Sequence, residues 1–213
     1  MPTRILAIRH GETDWNVAQR MQGHTDIPLN DIGQAQAQRL AQALGDEDLQ
    51  AIYASDLLRA RMTAAPLAAA RGLSVHLDKG LRERCFGDFE GHTYTQIDTH
   101  WPQAAAAWRT RDPAFEPPGG GESLPAFYER CLDAVRRIVQ RHRGESIALV
   151  AHGGVLDMFY RSASRAGLQA PRTWQLGNAS INRLLWADEG LMLVGWNDAQ
   201  HLEGLAPTGL PAA

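Results

Sequence analysis

Four side chains stand at or just beyond the ends of short apolar runs, and their types define the chemistry open to this chain. Ile8 gives way to Arg9-His10-Gly11, Ala54 is followed five residues later by Arg59, and Ala151 gives way to His152-Gly153-Gly154. Guanidinium forks grip phosphate or carboxylate oxygens in pairs, and an imidazole can donate, accept or attack. A helix opening just after His152-Gly153-Gly154 would add free backbone N–H groups, a second device for holding an anion. If one scaffold edge gathers these groups, the result is a phosphate pocket.

Other arrangements are weaker. Cys131 and Arg137 have the Cys-x5-Arg spacing of a thiol phosphatase, but Leu132-Asp133-Ala134-Val135-Arg136 between them is no glycine-rich phosphate loop. Cys131 also falls on an apolar helical stripe, so it is assigned to the core. His24, His76, His92, His100, His142 and His201 lack the spacing of metal ligands, and no metal or cofactor is expected. Gly119-Gly120-Gly121 lacks the Lys-Ser/Thr of a P-loop and is read as a hinge.

The elements that must carry these residues follow from periodicity. Arg4–Ile8, Ala51–Ala54, Ser74–Leu77 and Ser146–Ala151 are read as strands. Asn30 or Asp31 caps a helix with Ala37, Leu40, Ala41 and Leu44 on one face, and Ser55-Asp56 opens another that runs to about Ala70, kinked at Pro66. Ser123 caps a third, whose stripe is Leu124, Phe127, Tyr128, Cys131, Leu132, Val135, Ile138 and Val139. A further helix covers Val155 to about Ala166, and Ala179–Trp186 with Leu191–Trp196 form a late hairpin. Strands alternating with helices predict an α/β three-layer sandwich with a mostly parallel central sheet, whose carboxyl edge collects the ligand-binding residues. One domain spans 1–213, with a small inserted cap or lid at about 92–122 and a loose tail at about 205–213. Trp101, Trp108, Phe115 and Phe127 either line a leaving-group pocket or pack the core.

Composition narrows the partners. The 213 residues are 44% hydrophobic and 21% charged, ordinary for a globular chain, which excludes a disordered or coiled-coil protein. A formal net charge of −3 gives no global field for nucleic acid or an anionic membrane. The start, Met1-Pro2-Thr3-Arg4, has no signal-peptide pattern and no run is long enough to span a bilayer, so a cytoplasmic address is expected. Of the 21 basic residues only Lys79 is lysine, so any anion will meet arginine. Two cysteines, Cys85 and Cys131, fit reduced thiols, and the chain is expected as a monomer or homodimer.

Arg9-His10-Gly11-Glu12-Thr13 resembles the signature of the histidine phosphatase superfamily, the phosphoglycerate-mutase-like enzymes. The resemblance continues in family order through Trp15-Asn16, Gln22-Gly23, Asp26-Ile27-Pro28-Leu29, Gly33-Gln34-Ala35, Ser55-Asp56-Leu57, Arg59-Ala60, Leu81-Arg82-Glu83, Phe86-Gly87, Glu90-Gly91, Gly121-Glu122-Ser123 and His152-Gly153-Gly154. It implies that His10 attacks phosphorus to give a phosphohistidine, that Arg9, Arg59 and His152 hold the phosphoryl oxygens, and that Glu83 donates the leaving-group proton. Thr13, Asn16, Gln22, Gly23 and Gly153 would add phosphate or substrate contacts. A phosphate dianion beside a carboxyl favours its protonated form, so substrate itself would arm Glu83. Glu122 is left open as a pocket residue.

The resemblance covers both phosphatases and mutases. Mutases carry a longer, more basic insertion after the proton-donor motif. Here the stretch from Glu83 to His152 holds no lysine, its lid candidates are Arg109 and Arg111, and Phe89-Glu90-Gly91 resembles the phosphatase branch. Metal-independent hydrolysis of a small phosphomonoester is therefore expected. Phosphoglycerate mutase is the alternative, and a silent phosphate-binding module the third reading.

Overall fold

The computed structural model describes residues 1–205, so the tail expected from 205 onward lies, Leu205 apart, outside the described residues. A six-stranded sheet runs in the order β3-β2-β4-β1-β5-β6, built from β1 (Thr3–Arg9), β2 (Ala51–Ala54), β3 (Val75–Leu77), β4 (Ser146–Ala151), β5 (Ile181–Ala187) and β6 (Gly190–Asp198). The first four are mutually parallel, and β5 and β6 complete the sheet antiparallel.

Strand alternation decides which helices cover which face. Ile5 and Ala7 with Ile147, Leu149 and Ala151 point to one side, under α6 (Leu124–Val139) and α7 (Gly153–Ser164). Leu6 and Ile8 with Ala148 and Val150 point to the other, under α2 (Asp31–Ala43) and α3 (Leu58–Arg71). The expected three-layer sandwich is observed. The stripe on α6 buries Phe127, Cys131, Val135, Ile138 and Val139, and a large apolar side chain so buried contributes roughly 1.5–3 kcal/mol. Cys131 is thus a core residue, and burial pushes its thiol well above the ordinary range.

Two caps are as expected: Asn30 Oδ1 accepts from the Gly33 N–H at 2.8 Å and Ser123 Oγ from the Ala126 N–H at 3.4 Å. The opening of α3 is not. Asp56 is drawn off by a two-pronged bond from Arg82 (2.7 and 2.6 Å), so the helix starts at Leu58, whose N–H is capped across space by Asp26 Oδ1 at 2.6 Å. It then continues across Pro66 as one helix, with Arg59, Ala60, Thr63, Ala64, Leu67 and Ala68 buried along one side.

Between Glu83 and α6 the chain forms α4 (Tyr94–His100) and α5 (Pro102–Arg109) around a separate small core of Met21, Phe89, Ile97 and Ala105. Trp101, Trp108 and Phe115 pack against that core and Phe127 belongs to the main one, while Trp101 and Phe115 also line a surface cavity with Pro102 and Pro118. Arg109 pairs with Asp98 on the surface, whereas Arg111 donates to the Leu168 carbonyl at 2.6 Å and to Asp157 at 3.4 Å. Among the described residues, no helix is long and apolar enough to cross a membrane.

Candidate active site

Sheet register does the gathering. Arg9 lies opposite Ala151 on the adjacent parallel strands β1 and β4, so the next residue of each, His10 and His152, leaves the same edge side by side. Their ring centroids are 5.2 Å apart, close to one strand spacing. Ala54 pairs with Val150 on the other side of β4, which starts α3 at the same edge and brings Arg59 beneath it. Arg59 and His152 are fully buried and His10 is 3% exposed.

The guanidiniums hydrogen-bond carbonyls, while carboxylates act on them through space, Glu83 on both and Asp26 and Glu90 on Arg59. Arg9 donates to the Leu176 carbonyl at 2.5 Å, and Arg59 donates to the Gly23 and Thr25 carbonyls at 2.7 and 2.9 Å. Burial lowers each pKa to about 10, which leaves both fully charged at neutral pH. Burial first, and then the Arg59 and Arg9 charges, push His10 well below the ordinary histidine range; burial and Arg59 do the same to His152. Both rings are therefore neutral near pH 7.

The tautomer of His10 follows from its partner. Nδ1 lies 2.7 Å from the Gly11 carbonyl, which can only accept, so Nδ1 carries the proton and Nε2 keeps its lone pair. Around it, Arg9 Nε, Arg59 Nε and both ring nitrogens of His152 are buried without a protein partner. An unmet buried polar atom costs about 1–3 kcal/mol, and donors of this kind favour a bound oxyanion.

Glu83 closes the site from the loop after β3. Its Oε2 accepts from the Gly154 N–H at 2.9 Å and its Oε1 from the Arg84 N–H at 2.8 Å, so it is seated on the N-terminus of α7. Gly154 has no room for a side chain, since a Cβ there would lie 2.1 Å from Glu83 Oε1. Arg130 fixes the loop by donating to the Gly80, Arg82 and Glu83 carbonyls at 3.0, 2.9 and 3.0 Å. Glu122 pairs with that Arg130 at 2.6 Å and accepts from the Cys85 N–H at 2.8 Å, which makes it a strut of the loop.

Of the remaining expected residues, Gly153 begins α7 beside Arg9, and Gln22 is buried with Oε1 unpartnered. Gly23 contributes its carbonyl to Arg59. Thr13 and Asn16 bond each other in a capping box on the short helix α1 (Asp14–Val17), so the Thr13 hydroxyl is engaged there. No group of three or more His, Cys, Asp or Glu among the described residues is arranged to hold a metal ion.

A neutral imidazole with an unprotonated Nε2 beside two buried guanidiniums is an arrangement that can carry phosphoryl transfer. A family model described as the histidine phosphatase superfamily (branch 1) matches residues 5–199. The chain belongs to that superfamily. It is 42% identical over 203 residues to phosphoglycerate mutase-like protein 4 of Arabidopsis thaliana, covering 93% of this chain and 86% of that one. It is 36% identical over 205 residues to the metal-independent phosphoserine phosphatase of the same plant, covering 95% and 84%. The solved structure of the mycobacterial glucosyl-3-phosphoglycerate phosphatase superposes with a TM-score of 0.83 at 34% identity, covering 93% of this chain and 100% of that one. This histidine phosphatase is an enzyme with phosphohydrolase activity.

Two residues hold the geometry in ways the sequence does not assign: Glu90 stands there only as a motif residue, and Asn178 is not singled out. Glu90 accepts from the N–H groups of His24, Thr25 and Phe86 and from the Thr25 hydroxyl, tying the loop that seats Arg59 to the loop behind Glu83. Asn178 reaches the backbone of His10 from 168 residues away. The Gly177-Asn178 pair is a turn signal, and β5 accordingly starts at Ile181, two residues later than expected, with Ala179 at φ +53°.

Proposed function

We propose that this histidine phosphatase hydrolyses small carboxylate-bearing phosphomonoesters through a phosphohistidine on His10, without a metal ion. The supporting observation is the His10 environment: Nδ1–H held on the Gly11 carbonyl, Nε2 unprotonated, two buried guanidiniums beside it. His10 Nε2 attacks phosphorus as the ester P–O bond breaks, and the leaving alkoxide takes a proton from Glu83. The positive charge growing on the ring is met by the Gly11 carbonyl. Arg9 and Arg59 meet the phosphoryl charge, with His152 donating from one ring nitrogen. Water then attacks the phosphohistidine, Glu83 takes its proton, and phosphate leaves.

The carboxylate preference rests on charge beyond the phosphate pocket. Arg172 acts electrostatically on Arg9 and Tyr94, which places a further positive charge near Arg9. A second anionic group on the same substrate would feel that added positive charge. The relatives named for phosphoserine and glucosyl-3-phosphoglycerate act on esters of that kind.

Phosphorus NMR tests the reading, with EDTA present and His10→Ala as control. The enzyme is given phosphoserine, phosphoethanolamine, and 3-phosphoglycerate with a trace of 2,3-bisphosphoglycerate. Inorganic phosphate that vanishes in the variant, formed faster from phosphoserine than from phosphoethanolamine, is the expected result. Growth of 2-phosphoglycerate instead would identify a mutase, and equal rates on the two amines would remove the carboxylate preference.

A further inference from the structure

The amide that grips the His10–Gly11 backbone belongs to no part of the reaction just described. Asn178 is 3% exposed and sits in the loop before β5. Its Nδ2 faces three acceptors, the His10 carbonyl at 3.0 Å, the Gly11 carbonyl at 3.3 Å and Asn16 Oδ1 at 3.2 Å. Two of these are backbone carbonyls, which fixes the amide orientation, since only the nitrogen can serve them. The Gly11 carbonyl is also the acceptor for His10 Nδ1–H. Next to Asn178, the Ala179 N–H donates to the His10 carbonyl at 3.2 Å, and Ala179 holds φ +53° to do so. The loop is pinned in turn by Asn197, whose Oδ1 accepts from the Gly177 N–H at 2.8 Å.

We infer that Asn178 is a positioning residue that locks the catalytic tautomer of His10 by holding the Gly11 carbonyl in line with Nδ1–H. The reasoning is one of competing neutral forms. An imidazole in this pocket is uncharged, so its single ring proton sits on Nδ1 or Nε2, and only the first leaves Nε2 able to attack. Nothing in the ring enforces that choice; the carbonyl opposite Nδ1 does. A glycine carbonyl turns with its peptide plane unless something holds it: the Asn178 amide holds the Gly11 carbonyl itself, Gln36 Oε1 accepts from the Glu12 N–H of the same peptide at 2.8 Å, and the Thr63 hydroxyl holds the preceding peptide by accepting from the Gly11 N–H at 2.9 Å. Asn16 is anchored by the same amide, which connects the capping box of α1 to the nucleophile.

This inference rests on the phosphohistidine reading, and its test has a readout that does not need turnover. Nitrogen-15 spectra of the imidazole rings, with His10 assigned by comparison with His10→Ala, report which nitrogen carries the proton. The wild type is expected to show a protonated Nδ1 and a bare Nε2. In Asn178→Ala and the near-isosteric Asn178→Asp, both His10 signals should move toward each other as the tautomers mix. Their kcat on nitrophenyl phosphate should fall on the order of 10- to 100-fold, the worth of one or two amide hydrogen bonds, while KM and vanadate affinity stay within about threefold. A variant that keeps the single Nδ1–H form with kcat within threefold of wild type would overturn the lock. So would a parallel loss of kcat and vanadate affinity, which would place the effect at Arg9, or failure of both variants to fold, which would make Asn178 a residue of the fold alone. A wild type with the expected tautomer but no turnover would instead refute the hydrolase reading.

Discussion

Replacing Glu90 by glutamine changes one atom and removes one charge, and the structure says what that should do. Each oxygen of Glu90 accepts two hydrogen bonds: Oε1 from the His24 and Phe86 N–H groups at 2.9 and 3.1 Å, Oε2 from the Thr25 N–H and hydroxyl at 2.9 and 2.7 Å. A glutamine has one oxygen for these four donors. Its better placement puts the oxygen at Oε1, where two N–H groups depend on it, and turns the NH₂ toward Thr25. The threonine hydroxyl can rotate and accept, but the Thr25 N–H then faces another donor and is orphaned, which costs about 1–3 kcal/mol. The bonds that remain lose their charge assistance, for a total of about 2–4 kcal/mol. In a chain of this length that is a fall in melting temperature of roughly 4–16 °C. The loss should also reach catalysis, because Gly23 and Thr25 offer the carbonyls that seat Arg59. Thermal melts with and without vanadate, beside kcat/KM on nitrophenyl phosphate, measure both. Gly23→Ala should reproduce the phenotype, since Gly23 has φ +53° and a Cβ there would lie 2.0 Å from Glu90 Oε1. A Glu90→Gln melt within about 2 °C of wild type, with unchanged vanadate stabilisation, would refute the staple.

Three further outcomes follow from the same geometry. Glu83→Gln should lose at least tenfold more kcat/KM on an alkyl phosphate than on nitrophenyl phosphate, whose leaving group needs no proton; equal losses would remove Glu83 as the acid. His10 and His152 are both held neutral, so the unfolded chain binds protons that the folded chain refuses once pH drops below about 6.5. Stability should be intact above that pH and fall below it by about 1.4 kcal/mol per pH unit for each ring. His152→Asn should remove one such increment from the pH slope of urea midpoints, and an unchanged slope would mean that the folded ring is protonated. Phe89→Ala should cost about 3–5 kcal/mol, because Phe89 is fully buried in the small core; a calorimetric melt near wild type would show that core to be dispensable.

What the sequence determined by itself was the chemistry and most of the scaffold. Arg9, His10, Arg59 and His152 could be singled out because type and place agree: charged or titratable residues at or within five residues of the ends of buried strands, on an edge that a parallel sheet must share. Asn30, Ser123 and the stripe of α6 were legible because capping and helical periodicity act within a few residues of chain. The tertiary structure decided what sequence-local rules cannot reach. Asp56, a natural helix opener, is taken by Arg82 while Asp26 caps α3 in its place, and Glu122 props a loop through Arg130 and the Cys85 N–H. Glu90 and Asn178 act on backbone groups 66 and 168 residues away, across separations that leave no periodicity and no spacing to read. The charge state of His10 is the clearest case. A histidine in this sequence is an ordinary base; burial beside two guanidiniums and one fixed carbonyl makes it a neutral ring with a bare Nε2.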